Sequence, residues 1–530
     1  MSTTVTEAPR ALTTRPRGYA SAVRERLVTP MPSDRVIGWL GPVLVAALAG
    51  CFHFWRLGKP AAIVFDEKFY PQEAQSMLHY GVEYAVPYDG PPPATPGPDF
   101  VVHPPLGKWV IAVGEKLFGY HLHSAHPDGF GWRFSVALLG TLGVLVVART
   151  GRRLFRSTLL GCVAGLLLAT DGLHLVESRT ALLDPVLTFW ALCAFACVVV
   201  DRDWVRRRLA DTVTNRRDHS ASSASLGLRP WLLGAGLFLG MACGTKWNGA
   251  FFVVAYGLLA LVWTTSARRT AGAERPYLDT LRRDVPVFVV YLALLPLVVY
   301  IASWTGWFLS DPAHAWDRGW AAKPENAGRY PLLPTDALKS LWYYHHEMYD
   351  FNVGLAKFHA YKSNPWSWLI LGRPTAFWFQ RGTDAQYHCG AGTCDEVVTA
   401  LGTPALWWAS IPAIGVLLYR MVGRRDYRAA AILTAIGAGY LPWFNYQHRT
   451  IFSFYAVVFS PYIALAVTMV IGLALGGARA SVTRRTWSAA AAGAYVLLVV
   501  ANFAYLYPIL TSQSIPDHDW LSRMWFQSWI

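Results

Sequence analysis

Charge is what this chain has least of. Of its 530 residues only 15% are Asp, Glu, Lys or Arg, against about a quarter in soluble domains, while 54% are hydrophobic. That balance excludes an ordinary soluble enzyme and places the chain in a bilayer. Acidic residues are the scarcer sign, 33 against 47 basic, for a net charge of +14. No Asp-x-Asp cluster backed by further outer carboxylates appears, so no dedicated metal site is indicated, and Glu67 with His103 is a weak pair of metal ligands. No internal repeat is detectable, which weighs against an inverted-repeat transporter. Cysteines number seven. Cys51, Cys162, Cys193, Cys197 and Cys243 sit in apolar segments as small buried hydrophobes. Cys389 and Cys394 flank Gly-Ala-Gly-Thr, with only His388 near as a further soft ligand, so a local disulfide closing a hairpin-like turn is expected rather than a metal.

What is present is a series of apolar stretches about 20 residues long. Eleven are expected, starting near Val36, Arg133, Thr158, Thr180, Pro230, Asn248, Val285, Thr403, Ala429, Ile451 and Trp487. The fold class is therefore an all-α polytopic membrane protein. Arginines fall in alternate loops: Arg10 to Arg35, Arg149 to Arg156, Arg206 to Arg217, Arg268 to Arg283, Arg420 to Arg428 and Arg479 to Arg485. Under the positive-inside rule these are cytoplasmic, which puts the N-terminus inside and the C-terminus outside. The basic excess is topology and not a nucleic-acid surface. The expected division is a basic N-terminal segment (1–35), a catalytic membrane module (36–302) with an outer loop (56–132), a second outer loop (303–402), C-terminal membrane helices (403–507) and an outer tail (508–530). Leu48-Ala-Gly-Cys51 resembles a lipoprotein cleavage box, but the preceding segment is long and Phe52, Phe54 and Trp55 continue the apolar run, so processing is not expected.

The outer loops hold the unusual chemistry. Asp66 and Glu67 stand side by side after the first span, and His103-Pro-Pro-Leu-Gly-Lys108 follows in the same loop. Leu106, Trp109, Val110, Val113 and Leu117 recur at helical spacing and predict an amphipathic helix, along the membrane interface or packed beneath the loop. The Pro/Gly-rich run Tyr88 to Pro98 reads as irregular chain, and Asn215 to Ser225 as a polar connector. Trp304, Trp307, Trp316, Trp320, Trp342, Tyr343 and Tyr344 crowd the second outer loop, read first as an interfacial belt and second as a sugar or peptide platform.

Short outer turns should be poor in cations, yet Arg133, Arg179, Lys246 and Arg449 each lie at the outer end of a span, placed to converge on one pocket. Asp184 and Glu177 are candidate structural partners for Arg179. A carboxylate facing several cations suits transfer of a group from a phosphate to a hydroxyl: the carboxylate takes the hydroxyl proton, and the cations stabilise charge on the departing phosphate. Adjacent helical side chains diverge by about 100°. Asp66 and Glu67 therefore cannot serve one atom, so one is expected as the base and the other as a positioning group.

Together, Phe65-Asp-Glu67, Val102-His-Pro-Pro-Leu-Gly-Lys108, Arg133-Phe-Ser, Glu177-Ser-Arg-Thr-Ala-Leu-Leu-Asp184 and Gly244-Thr-Lys-Trp247 resemble the protein O-mannosyltransferases, membrane enzymes of the GT-C glycosyltransferase fold. The resemblance runs through most of the chain. It implies inverting transfer of mannose from polyprenyl-phosphate-mannose to Ser/Thr hydroxyls of polypeptides on the extracytoplasmic side of the cell membrane, with no obligatory cofactor or nucleotide sugar. It implies Asp66 as catalytic base and Glu67 as a residue orienting the acceptor. Arg133, Lys246 and Arg179 become donor- or phosphate-binding candidates, with His103, Lys108, Asp184 and Trp247 as supporting motif residues. Eukaryotic members insert a β-trefoil in an outer loop. Here the corresponding loop of roughly 100 residues has no room for one, so the chain looks like a bacterial form, actinobacterial by Cys389, Cys394 and its Ala/Arg/Gly-rich composition, whose acceptors are secreted proteins met during translocation. The alternatives are a GT-C transferase acting on a glycolipid or cell-wall polymer and, from another class, a lipid or sugar transporter.

Overall fold

The computed structural model describes residues 17–85, 97–122, 127–215, 221, 224–477 and 479–530. Arg10, Arg15, Arg216, Arg217, nearly all of the Pro/Gly-rich run and most of the polar connector lie outside the described residues. Helices dominate, in the order α1 (Arg17–Leu27), α2 (Ile37–Phe54), α3 (Tyr70–Tyr80), α4 (Leu106–Phe118), α5 (Phe130–Phe155), α6 (Thr158–Ala169), α7 (Gly172–Ser178), α8 (Leu183–Asn215), α9 (Pro230–Thr245) and α10 (Gly249–Thr270). They continue as α11 (Pro276–Arg283), α12 (Val285–Ser303), α13 (Asp336–Gly354), α14 (Pro404–Arg424), α15 (Tyr427–Tyr440), α16 (Ser460–Leu475), α17 (Val482–Leu510) and α18 (Asp517–Arg523).

Among the described residues eight helices are long and apolar enough to cross a membrane, or nine if the pair α6 and α7, bent by 66°, counts as one broken span. Every expected apolar stretch coincides with helix, but three fall short of an unbroken span. One is the α6–α7 pair, whose chain turns at Thr170 and Asp171. The others are α9, with 16 residues, and α15, with 14 residues before a 3-10 turn over Leu441–Tyr446. The core lies where α5, α8, α16 and the turn Ser453–Phe459 meet, and the window of Leu183–Thr214 is 78% buried. By contrast α17 shows most of its surface, with 17% of its window buried.

The chain is not all helix. Tyr84–Ala85 (β1) pairs antiparallel with Gly97–Pro98 (β2). Thr375–Thr383 (β3), Thr393–Ala400 (β4) and Ser514–Pro516 (β5) form a three-stranded antiparallel sheet in the order β3-β4-β5. The β3–β4 hairpin carries the disulfide Cys389–Cys394 near its tip. The tail strand β5 completes the sheet from more than a hundred residues away, a pairing that local sequence does not announce.

α4 forms where its periodicity puts it, but both of its faces are mixed in character. Lys108, Ile111, Ala112 and Glu115 are buried, whereas Val113 and Leu117 are 54% and 64% exposed. The buried face carries Lys108 and Glu115 beside Ile111 and Ala112, and the outward face carries Val113 and Leu117 beside Lys116. The aromatics of the second outer loop correct both readings made of them. Trp304, Trp307, Trp320 and Tyr344 are buried together with Leu341 and Met348, so most of the cluster is a packed core beneath the loop. Only Trp342 of the set is prominently exposed.

Candidate active site

Asp66 lies in a 3-10 turn, Phe65–Lys68, between α2 and α3. The preceding Phe65 has φ +47°, a left-handed conformation that a bulky side chain rarely adopts. Aromatic packing enforces it. The Phe65 ring stacks on Phe377 of β3 at 4.8 Å and meets the edges of Phe452 and Phe454 at 5.5 and 5.3 Å. Backbone strain sustained by surrounding packing concentrates at functional positions, and here it sets the direction of the next residue.

The two neighbouring carboxylates diverge, as adjacent residues must. Glu67 is fully buried and saturated: Arg133 Nε and Nη2 donate to Oε1 and Oε2, each at 2.7 Å, Val64 N–H donates to Oε2 at 3.1 Å and Ala181 N–H to Oε1 at 3.0 Å. The remaining Arg133 donors go to the carbonyls of Leu57, Pro60 and Ala62 at 3.3, 2.9 and 2.8 Å. A guanidinium has five N–H groups, and all five are used. This corrects two expectations. Glu67 has no free oxygen with which to orient an acceptor, and Arg133 has no free donor for a phosphate; the pair pins the loop that carries Asp66. Arg179 is occupied similarly. Its Nη1 donates to the carbonyls of Phe52, His53 and Trp55, and Nη2 to that of Arg56, closing the end of α2. It pairs with neither Asp184 nor Glu177.

Asp66 itself is half-buried and accepts no side-chain hydrogen bond from the described residues. Burial raises its pKa from 3.8 to about 6; Lys246 and Lys68 pull it back down, and Asp184 pushes it up. Lys246 caps α9 in extended conformation and donates to both oxygens of Asp184, at 3.0 and 2.8 Å, at the start of α8. Gly107 permits this convergence, because a Cβ there would meet Leu183 and Thr245 side chains at 2.7 and 2.8 Å. The close approach of α4 brings the His-Pro-Pro element over Asp184 and Lys246. Lys108, buried, ties α4 to Glu73 of α3 at 3.1 Å and to Glu83.

Beside this group opens a cavity lined by His103, Lys246, Trp247, Tyr349, Asn352 and Arg449, among others. Trp247 is fixed by donating its Nε1–H to Tyr300 Oη at 2.9 Å. Asn352 donates to the Val102 carbonyl at 3.1 Å and accepts from Arg449 Nη2 at 3.0 Å, which clasps the His103 segment to Arg449. The Nε of Arg449 is buried without a partner. The His103 pKa is held well below 6.5 by burial first and then by Lys246, Arg449 and Lys108, so its imidazole is neutral at physiological pH. Of the four outer cations expected to converge, Lys246 and Arg449 share the cavity while Arg133 and Arg179 face the loop.

Two further residues stand out: Glu177, expected only as a partner for Arg179, and Asn352, which the sequence did not single out. Glu177 is fully buried with both carboxylate oxygens unpartnered, in the electrostatic field of Asp66, Asp184 and Lys246. Asn352 has no motif around it, and only its place on α13 reveals its role. Among the described residues one group could hold a metal by geometry, Asp384 with Cys389 and Cys394, and its two sulfurs are the disulfide.

The arrangement is the Asp66 carboxylate, desolvated and in the field of Lys246, with Lys246 and Arg449 lining the cavity and Glu177 a second unpartnered carboxylate buried behind. Comparison with known proteins fits it. Residues 97–305 match the family model of dolichyl-phosphate-mannose-protein mannosyltransferase, and residues 337–529 match that of the C-terminal four-helix membrane region of protein-O-mannosyltransferase. The chain is 40% identical over 511 residues to a polyprenol-phosphate-mannose–protein mannosyltransferase of Mycolicibacterium smegmatis, covering 94% of each chain. It is 32% identical over 494 residues to that of Corynebacterium glutamicum, covering 92% of this chain and 91% of the relative. In fold it is similar to the Saccharomyces cerevisiae protein O-mannosyltransferase Pmt1–Pmt2 complex bound to the sugar donor, with TM-score 0.69 at 15% identity over 98% of this chain and 95% of the other. The chain belongs to the polyprenol-phosphate-mannose–protein mannosyltransferase family of membrane glycosyltransferases.

Proposed function

We propose that the protein transfers mannose from a polyprenyl-phosphate-mannose to Ser/Thr hydroxyls of polypeptides, with Asp66 as general base. The observation that carries this is the Asp66 carboxylate: desolvated, without a side-chain hydrogen bond among the described residues, and in the electrostatic field of Lys246. With a pKa of about 6 it is ionised at neutral pH yet more basic than an exposed aspartate, which suits a base. The acceptor hydroxyl gives its proton to Asp66 as its oxygen bonds to the anomeric carbon. The bond from that carbon to phosphate breaks on the opposite face, which inverts the configuration. The leaving polyprenyl phosphate is stabilised by Lys246 and Arg449 through charge-assisted hydrogen bonds. Neutral His103 exchanges hydrogen bonds with donor oxygens and is no acid. Arg133, Glu67 and Arg179 act through the loop they hold, and Asp184 orients Lys246.

The distribution of arginines supports an extracytoplasmic site in the cell membrane, an inside N-terminus, an outside C-terminus and eleven crossings, with the short and bent helices completing the count. Acceptors then meet the enzyme during translocation. No cofactor is required, since protein cations serve the phosphate. The test is transfer of labelled mannose from polyprenyl-phosphate-mannose to a Ser/Thr peptide by purified protein. Labelling of that peptide and not of its Ala counterpart is expected. Labelling of a glycolipid or wall polymer instead would replace the acceptor class.

A further inference from the structure

At the end of the bundle away from Asp66 a second cavity, of about 540 Å³, opens between α6, α16 and α17. It lies within the roughly 300–1,000 Å³ typical of ligand sites. The chain runs from Tyr455, beside Lys246, through the length of α16 to its rim at Gly476, roughly 30 Å of helix. The two cavities therefore lie at opposite membrane faces.

The walls are of two kinds. Leu159, Leu160, Met469 and Leu473 line one side, and Leu159 is 68% exposed on the outside of the bundle. Arg428 and Arg484 line the other. Both guanidinium groups are tethered by hydrogen bonds. Arg484 donates Nε to the Ala474 carbonyl and Nη2 to that of Leu473, at 3.1 and 2.9 Å. Arg428 donates Nε and Nη2 to Asp426, at 3.0 and 2.7 Å. Each keeps Nη1 without a partner among the described residues. Asp426 also takes a bond from Arg420, so one carboxylate answers two arginines and the positive charge here is not balanced. Two fixed cations beside apolar side chains that face lipid match a headgroup phosphate with acyl chains below it.

We infer that this cavity binds an anionic phospholipid, its phosphate held by Arg428 and Arg484 and its chains lying on Leu159, Met469 and Leu473. The lipid would join α17, which contacts the bundle sparsely, to α6 and α16. A soluble phosphate could meet the arginines but would leave the apolar wall uncovered, so the lipid is the occupant chosen.

The test uses the full-length protein, delipidated in detergent, with phosphatidylglycerol, phosphatidylcholine or inorganic phosphate added. Bound lipid is counted by native mass spectrometry and stability is read by thermal unfolding. One phosphatidylglycerol per chain, preferred about tenfold over phosphatidylcholine, with a raised Tm, is expected, because the choline cation of phosphatidylcholine is repelled by the unbalanced arginine charge. Arg484→Glu should lose the preference and the Tm gain, while Arg275→Glu, an exposed arginine elsewhere in the cytoplasm-type loops, should keep both. Equal loss in the two variants would mean diffuse surface charge and overturn the site. So would equal binding of phosphatidylcholine, or a Tm gain from inorganic phosphate alone.

Discussion

Replacing Asp66 by Asn should make the protein more stable while making it inactive. The folded state raises the Asp66 pKa from 3.8 to about 6. At about 1.4 kcal/mol per unit, holding the charged form costs about 3 kcal/mol. The sign follows from proton binding. Between pH 4 and 6 the folded state binds this proton more tightly than the unfolded chain does, so stability falls as pH rises through that window, and above it the full cost is present. The amide of the variant never ionises and escapes that cost. At pH 7.5 Asp66→Asn should therefore exceed wild type by up to about 3 kcal/mol, seen as a Tm higher by a few degrees. Near pH 4.5 the gap should narrow to about 1 kcal/mol, closing only below the unfolded pKa of 3.8. Thermal unfolding followed by tryptophan fluorescence at both pH values measures this. A variant less stable than wild type at pH 7.5, or a gain independent of pH, would refute the idea that Asp66 is held charged against its surroundings.

Arg133→Ala leaves the buried Glu67 carboxylate without its counter-charge, held only by the Val64 and Ala181 N–H groups, a loss of about 3–5 kcal/mol, and should appear as lost folded yield; Arg133→Lys should not rescue it, since an ammonium cannot form the fork. A variant of normal Tm with only a raised donor KM would restore a phosphate role to Arg133. Lys246→Ala and Arg449→Ala should each lower kcat/KM for the lipid donor by roughly 10- to 100-fold, the worth of a charge-assisted bond; unchanged donor kinetics in both would remove the phosphate cradle. Transfer should persist in excess chelator, and a complete loss restored by added metal would contradict the cofactor-free mechanism.

Helix positions were readable from sequence because apolar runs and periodicity depend on local composition. Hence α4, the stretches beginning at Val36 and Val285, and the Cys389–Cys394 turn appear where expected. The direction of a long side chain is not local. Arg133 and Lys246 both stand at helix ends, yet one turns into carbonyls of the preceding loop and the other towards the cavity. Only the packed partners decide between them. The same holds for Glu67, indistinguishable from Asp66 in sequence until Arg133 and the Ala181 N–H are seen to saturate it. Strand β5 and the clasp at Asn352 depend on contacts about a hundred residues or more apart, and the burial of Lys108 on α4 depends on Glu73 and Glu83, which its own periodicity does not show.

The most direct test of Asp66 as base is the single-turnover rate of mannose transfer to a Ser/Thr peptide at saturating lipid donor, measured from pH 5 to 8 for wild type and Asp66→Asn. Wild type should hold a plateau above pH 7 and lose rate below the Asp66 pKa of about 6, approaching tenfold per unit, while the variant should fall at least about a hundredfold with donor binding retained. A flat wild-type profile, or turnover by Asp66→Asn close to wild type, would contradict the account.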